Sequence, residues 1–98
     1  MQLFRQGDVL IIPSKLPDNA VVKKDTIVAY GEVSGHHHQF TSGATVYTAG
    51  AQMFAVIEQG AVLQHQEHAK IEFEEPGVYE ILIQREYDYL GHIRKVMD

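Results

Sequence analysis

The residues of this chain that are best suited to chemistry are its histidines, which are unevenly spaced. The sequence contains six histidines, and all but His92 fall in two short boxes. The boxes are His36-His37-His38 and His65-Gln66-Glu67-His68. Imidazole is the commonest metal-binding side chain and also titrates near neutral pH. Two such boxes therefore predict a metal site, while the reaction, if there is one, stays open.

Strand geometry predicts which members of the first box act together. Residues two apart on a strand face the same side, so His36 and His38 are expected to project together and His37 to face the opposite side. Two imidazoles can then bind one ion at roughly 2.0–2.1 Å each. Gly35 frees the backbone for a bend just before the box. His37 is expected to have a structural role.

The second box needs a turn before it can serve the same site. Residues three apart point to opposite faces of a regular strand, so His65 and His68 converge only if a turn or bulge lies between them. Three histidines with an open position are typical of catalytic zinc, and a fourth ligand favours a structural site. The predicted cofactor is a divalent transition metal, with zinc first and iron, nickel or manganese as alternatives. The predicted ligands are His36, His38, His65 and His68.

Glu67 lies inside the second box, and three roles are open to it. It could bind the ion, hold an imidazole in one tautomer, or act as a general base on a metal-bound water. If the protein is an enzyme, Glu67 is the predicted catalytic residue. The alternative is a non-enzymatic module, such as a phage or host accessory protein, whose histidines stabilise the fold or a subunit interface.

Short apolar stretches separated by turn residues surround both boxes and predict strands. The predicted strands cover residues 9–12, 26–33, 44–49, 52–58 and 61–65. Glycines at positions 43, 50 and 60 are expected to separate the last three strands, and Gly7 and Asp8 to form a turn and nothing more.

A hairpin is predicted near the end of the sequence. Residues 70–74 alternate strictly between charged and apolar, which is the period of a half-buried strand. Pro76 and Gly77 then stand in the order of a type II turn, and the return strand is expected over residues 78–87. Extended to residue 89, that strand could pair with a second copy, which predicts a homo-oligomer.

Strands of this spacing predict a single all-β domain over residues 1–98, a small antiparallel barrel or sandwich. Hydrophobic residues make up 45% and charged residues 21%, and there is no cysteine, which excludes disulfides and thiolate sites. The net charge is −5, so nucleic acid is not an expected partner. No apolar run approaches the roughly 20 residues of a membrane span. We expect a soluble, cytoplasmic protein whose small-molecule ligand is unknown.

These motifs resemble those of a set of small uncharacterised proteins from bacteria and their phages. The shared features are a Gly-Asp-Val opening strand, a Gly-His-x-His box, a His-x-Glu-His box, and a Pro-Gly-x-Tyr hairpin that ends in Gln-Arg-Glu-Tyr. Here they occupy residues 7–9, 35–38, 65–68, 76–79 and 84–87. The resemblance covers most of the chain and implies no particular activity.

A weaker similarity is to cupins, small double-stranded β-helix proteins that often hold a metal. Their first motif has a His-x-His pair after a glycine, which His36 and His38 match. The glutamate that should follow is replaced by residues 41–43, Thr-Ser-Gly. The Pro-x-Gly of the second motif is missing, although His65 or His68 could replace its histidine. This similarity implies a cupin-like barrel, and the Gly-Asp-Val strand is also similar to that of GroES-like barrels.

Overall fold

Strands of one antiparallel sheet make up the computed structural model, which describes residues 2–31 and 35–84. The strands are β1 (Phe4–Gln6), β2 (Val9–Pro13), β3 (Val21–Val22), β4 (Ile27–Tyr30), β5 (His37–Ala49), β6 (Gln52–Gln64), β7 (Ile71–Glu72) and β8 (Gly77–Ile83). The predicted all-β antiparallel class is confirmed. The sheet is open, because its path of paired strands ends at β1 on one side and at β3 on the other.

The two longest strands, β5 and β6, form the centre of the sheet. Paired strands follow the order β1-β2-β8-β6-β5-β3, with β4 also beside β5 and β7 also beside β6. The two long strands pair along nearly their whole length, from Gln39 opposite Gln64 to Ala49 opposite Gln52. Each long strand has different outer neighbours at its two ends: β4 and then β3 beside β5, and β8 and then β7 beside β6.

β5 and β6 continue through Gly43 and Gly60 instead of ending there, so the predicted breaks at these two glycines are wrong. Both residues have positive φ, 74° and 88°, and the pairing of β5 with β6 shifts register twice over residues 40–44. A Cβ on Gly43 would lie 2.7 Å from the Cα of Ala61, so this close approach requires glycine. Bulges of this kind bend a strand and increase its twist.

The predicted hairpin is also wrong, although both of its segments contain strands. β7 pairs with β6, and the neighbouring Phe73 exchanges backbone hydrogen bonds with Gly60 and Ala61. β8 instead lies between β2 and β6, where Tyr79 and Ile81 are buried. Burial of the apolar face of β8 outweighs the local turn signal, and Pro76 belongs to a connection between separate positions in the sheet.

The described part of β8 therefore gives no support for pairing of this strand with a second copy of the chain. β8 has a partner strand along each edge, so it offers no unpaired edge. The rest of the predicted strand, residues 85–89, lies outside the described residues, as do residues 32–34 near the predicted end of β4. The homo-oligomer stays a prediction.

Five strands, β2, β4, β5, β6 and β8, contribute to one core together with Phe73. The buried cluster is Val9, Ile11, Val28, Phe40, Val46, Ala55, Ile57, Ala61, Leu63, Phe73, Tyr79 and Ile81. Phe73 lies near the rings of Phe4, Phe40 and Tyr79, with centroids 4.6–5.9 Å away. Two polar residues, Gln6 and His38, are also buried. In the part of the chain that is described, no helix is long and apolar enough to cross a membrane.

Candidate metal-binding site

Four histidines from the two boxes converge where β5 begins and β6 ends. His36 immediately precedes β5 and His38 lies within it, while His65 directly follows β6 and His68 lies in the bend beyond. The centroid of the His65 ring is 4.3 Å from that of His38, 4.6 Å from that of His68 and 5.6 Å from that of His36. The bend after β6 is the turn that the second box requires. The rings of the other three predicted ligands therefore all lie next to that of His65.

The ring separations fall on both sides of the value that a shared ion would impose. Two imidazoles on one tetrahedral ion hold their centroids about 5.2 Å apart, and the separations here run from 4.3 Å to 6.0 Å. Within residues 2–31 and 35–84, however, no three histidine, aspartate or glutamate side chains are arranged to hold an ion. Ion binding would therefore require local side-chain adjustment.

The amide of Gln6 fixes the tautomer of His38. Its Nε2 donates to the backbone carbonyls of Leu63 and Ala69, each at 3.0 Å, so its Oε1 must be the atom that accepts. Nδ1 of His38 lies 2.8 Å from that oxygen and therefore carries the proton. In the neutral ring the lone pair is then on Nε2. Histidines that bind metals are commonly held in this way by a hydrogen bond from their other ring nitrogen.

The His65 ring is held in the other tautomer, with its proton on Nε2. The backbone N–H of Glu67 donates to Nδ1 of His65 at 3.0 Å, so the neutral ring carries its proton on Nε2. Burial, followed by the charges of His68 and His36, lowers the pKa of His65 below its usual 6.5. His65 can bind an ion through Nε2 only after it gives up the bond from Glu67. This is the adjustment that the cluster would need.

Two glycines leave room for the imidazoles. Gly7, in the turn between β1 and β2, has a φ of 59°, and a Cβ there would lie 2.7 Å from Nε2 of His68. A Cβ on Gly31, just after β4, would lie 3.1 Å from the Cβ of His36 and 3.4 Å from Nε2 of His65. The turn at Gly7 thus contributes directly to the packing of the cluster.

Two carboxylates lie near different histidines of the cluster. Oε2 of Glu67 lies 3.7 Å from Nδ1 of His36, and Oδ1 of Asp8 lies 3.8 Å from Nε2 of His38. Both distances exceed that of a hydrogen bond. The Glu67 side chain is 64% exposed and that of Asp8 is 32% exposed. Either could donate an oxygen to an ion or accept a proton.

His37 faces away from the cluster, as strand alternation requires. Its Nε2 lies 3.2 Å from Oε1 of Gln39, and its ring is 6.3 Å from that of Tyr30. A pocket of about 300 Å³ opens on this side. The pocket is lined by His37, Gln39, Thr41, Gln64, His65 and Gln66. His65 therefore borders both the cluster and a pocket of polar, uncharged groups.

Sequence reasoning missed the contribution of the first hairpin. Gln6 and Asp8 flank Gly7 at the turn of this hairpin. Gly7 and Asp8 were expected to form only a turn, and no role was predicted for Gln6. One signal was present, because the Gly-Asp-Val strand is among the motifs shared with the small bacterial and phage proteins. His92 lies outside the described residues.

The fold and the cluster together define a small all-β domain that carries convergent histidines. The chain belongs to a family described as a domain of unknown function, DUF8820, whose sequence profile matches residues 5–84. The matched range begins within β1, ends after β8 and contains all four clustered histidines. No curated protein and no solved structure gives a match.

Proposed function

We propose that this small, soluble, cytoplasmic β-domain binds one divalent transition metal ion, zinc first, through four histidines. The ligands are His36, His38, His65 and His68. The observation that carries the proposal is the approach of the other three rings to that of His65, with centroids 4.3–5.6 Å away. Iron, nickel and manganese are the alternatives, since imidazole alone does not select among these metals.

The electrostatic surroundings support a bound cation. Asp8 and Glu67 place carboxylates beside His38 and His36, and the chain as a whole carries a net charge of −5. The lowered pKa of His65 favours the neutral ring, which is the state in which imidazole binds metal. The weaker similarity of the first box to that of cupins, which often hold a metal, accords with this proposal.

If the protein is an enzyme, Glu67 is the residue that would move a proton. An ion in the cluster that keeps one coordination position open would polarise a bound water or a substrate oxygen. Glu67 is exposed at the rim, and its carboxylate lies 3.7 Å from the His36 ring. The pocket beside His65, with its amide and hydroxyl groups, suits a small polar and uncharged ligand.

The alternative function is a non-enzymatic interaction module with structural histidines. Two features favour it. Nδ1 of His65 accepts a hydrogen bond from within the chain, which leaves the proton on the Nε2 that an ion would need. In addition, the edge strand β3 exposes Val21 and Val22, at 64% and 58%, and an exposed apolar edge can pair with a second copy. This alternative predicts a metal-free homo-oligomer.

Zinc titration of single histidine variants tests the proposal. We expect alanine at each of the four ligand positions to weaken zinc binding at least tenfold, while His37→Ala, whose ring faces the other side, retains the affinity of the wild type. Calorimetry with untagged protein measures both affinity and stoichiometry. If His36→Ala and His68→Ala both bind zinc as the wild type does, the two boxes do not share a site.

A further inference from the structure

We infer that Asp8 is a ligand of the same ion, so that the site combines imidazole nitrogens with a carboxylate oxygen. The inference rests on the proposed function and changes the predicted ligand set, because the sequence patterns assign Asp8 to a turn only. Three observations carry it: the position of the carboxylate, the tautomer of His38, and the packing of the β1–β2 turn.

The carboxylate of Asp8 faces the nitrogen of His38 that carries the lone pair. Nδ1 of His38 donates to Gln6, so in the neutral ring Nε2 is an acceptor, and the Asp8 oxygen 3.8 Å away is an acceptor too. A cation between the two atoms would accept an electron pair from each of them. Neighbouring donor atoms that each lie about 2.1 Å from one ion are roughly 3.0–3.6 Å apart, a separation that a small movement of the Asp8 side chain would reach.

The whole turn between β1 and β2 is packed against the histidines. Gln6 contacts Nδ1 of His38, Gly7 leaves the space that the His68 ring fills, and Asp8 approaches Nε2 of His38. Three consecutive residues thus each meet one of two clustered rings. The main chain is fixed here as well, because Gln6 pairs with Val9 across the turn.

The two carboxylates therefore have different assignments. Asp8 is the less exposed, at 32% against 64% for Glu67, and lies beside His38, the most deeply buried of the four histidines. Asp8 is the one held by the sheet, since its backbone oxygen accepts a hydrogen bond from the N–H of Gln84 at 2.6 Å. A ligand must be held in place, whereas a proton carrier needs contact with solvent, which suits Glu67.

Asp8→Asn tests this ligand, with Asp18→Asn as the matched control. Asp18 is an exposed turn aspartate outside the cluster. We expect Asp8→Asn to weaken zinc binding at least tenfold, measured by competition with a chromogenic chelator, and to shift the visible absorption spectrum of the Co²⁺-loaded protein. Asp18→Asn should retain the affinity and spectrum of the wild type.

A cysteine at the same position gives a test that does not depend on loss of binding. The chain has no cysteine, so a thiolate-to-cobalt charge-transfer band in Asp8→Cys would come from residue 8 alone. We expect the band in Asp8→Cys and its absence in Asp18→Cys.

The outcomes separate the two proposals. If the wild type binds one Co²⁺ and the folded Asp8→Cys variant binds it without the band, or if Asp8→Asn matches the wild type in affinity and spectrum, the role of Asp8 is wrong and the histidine site stands. If the wild type binds neither Zn²⁺ nor Co²⁺, the proposed function itself is wrong.

Discussion

His38 is the residue at which the requirements of folding and of metal binding coincide. It is only 1% exposed, and a buried polar group is costly unless it is hydrogen-bonded. Gln6 provides that bond and also satisfies the carbonyls of Leu63 and Ala69. The same amide that makes burial of the imidazole acceptable therefore places its lone pair on Nε2.

Removal of this amide should reduce both stability and metal affinity. In Gln6→Leu, the carbonyl of Leu63 loses a donor and Nδ1 of His38 loses its acceptor in the buried interior, and an unsatisfied buried group costs about 1–3 kcal/mol. Loss of the bond that orients a histidine ligand lowers metal affinity about 10–100-fold. Urea unfolding of the metal-free protein and zinc titration measure the two effects. Gln52→Leu is the control, because Gln52 is exposed and bonds only to Glu80 among the described contacts.

A Gln6→Leu variant that is less stable but binds zinc as tightly as the wild type would contradict the tautomer argument. The amide would then serve the core alone.

Acid should destabilise the metal-free protein through His65. Its pKa in the folded chain is below 6.5, chiefly because burial disfavours the charged ring. As pH falls through 6.5, the unfolded chain therefore binds this proton before the folded one does, and the free energy of unfolding decreases. Urea unfolding between pH 8 and pH 5, with a chelator present, measures the trend. We expect His65→Gln to lose less stability over this range, and equal losses in both proteins would contradict the assignment.

At the scale of elements, local patterns predicted where strands lie better than how they pair. The apolar run predicted as a strand at residues 9–12 lies in β2. Strand alternation also correctly predicted that the side chains of His37 and His38 lie on opposite faces of one strand. Partners were harder to predict, because pairing is decided by which faces become buried together and not by the turn residues between strands. Residues 70–74 and 78–87 carry a strong hairpin signal, yet β8 is central and pairs with β2 and β6.

The local features of the site could be predicted from the sequence, whereas its contacts with distant residues could not. The two histidine boxes are visible in the sequence, and the spacing of the second box predicts a turn after His65. Gln6 and Asp8 reach the cluster through a non-local arrangement, since β1 and β2 lie far from both boxes in the sequence. Alternation along a strand carries no information about such contacts.

The turn between β1 and β2 should be intolerant of a side chain at Gly7. Gly7 and Gly50 each begin a tight turn between adjacent strands, with φ of 59° and 64°, so alanine costs about 1–2 kcal/mol of backbone strain at either position. Only at Gly7 does the new Cβ meet an imidazole, while nothing lies within 4 Å of one at Gly50. We expect Gly7→Ala alone to lower zinc affinity, at least tenfold, when both folded variants are titrated. Equal affinities would show that the position of His68 does not matter.

At the scale of the whole molecule, the core and the cluster are largely separate. Of the four clustered histidines, His36 and His65 are partly exposed and His68 is exposed. Within this group of four, His38 alone is buried with the core. The fold should therefore form without the ion, unlike that of small domains whose folding energy comes from metal binding.

Metal removal should lower the melting temperature and leave the fold intact. Metal present at 100 times its dissociation constant adds about 2.7 kcal/mol to the free energy of unfolding, which corresponds to roughly 10–20 °C for a domain of this size. We expect a chelator to reverse this increase while the far-ultraviolet circular dichroism stays that of a β protein. Unfolding on chelation at room temperature would contradict the separation of core and cluster and would indicate a structural site.

The most direct test of the central claim is the metal content of untagged protein, purified without a nickel column and measured by elemental mass spectrometry. We predict about one equivalent of a single divalent transition metal per chain, in line with one site. A well-folded protein that carries no metal, and that takes up neither zinc nor iron when they are added, would contradict the account and leave the non-enzymatic module as the better explanation of the histidines.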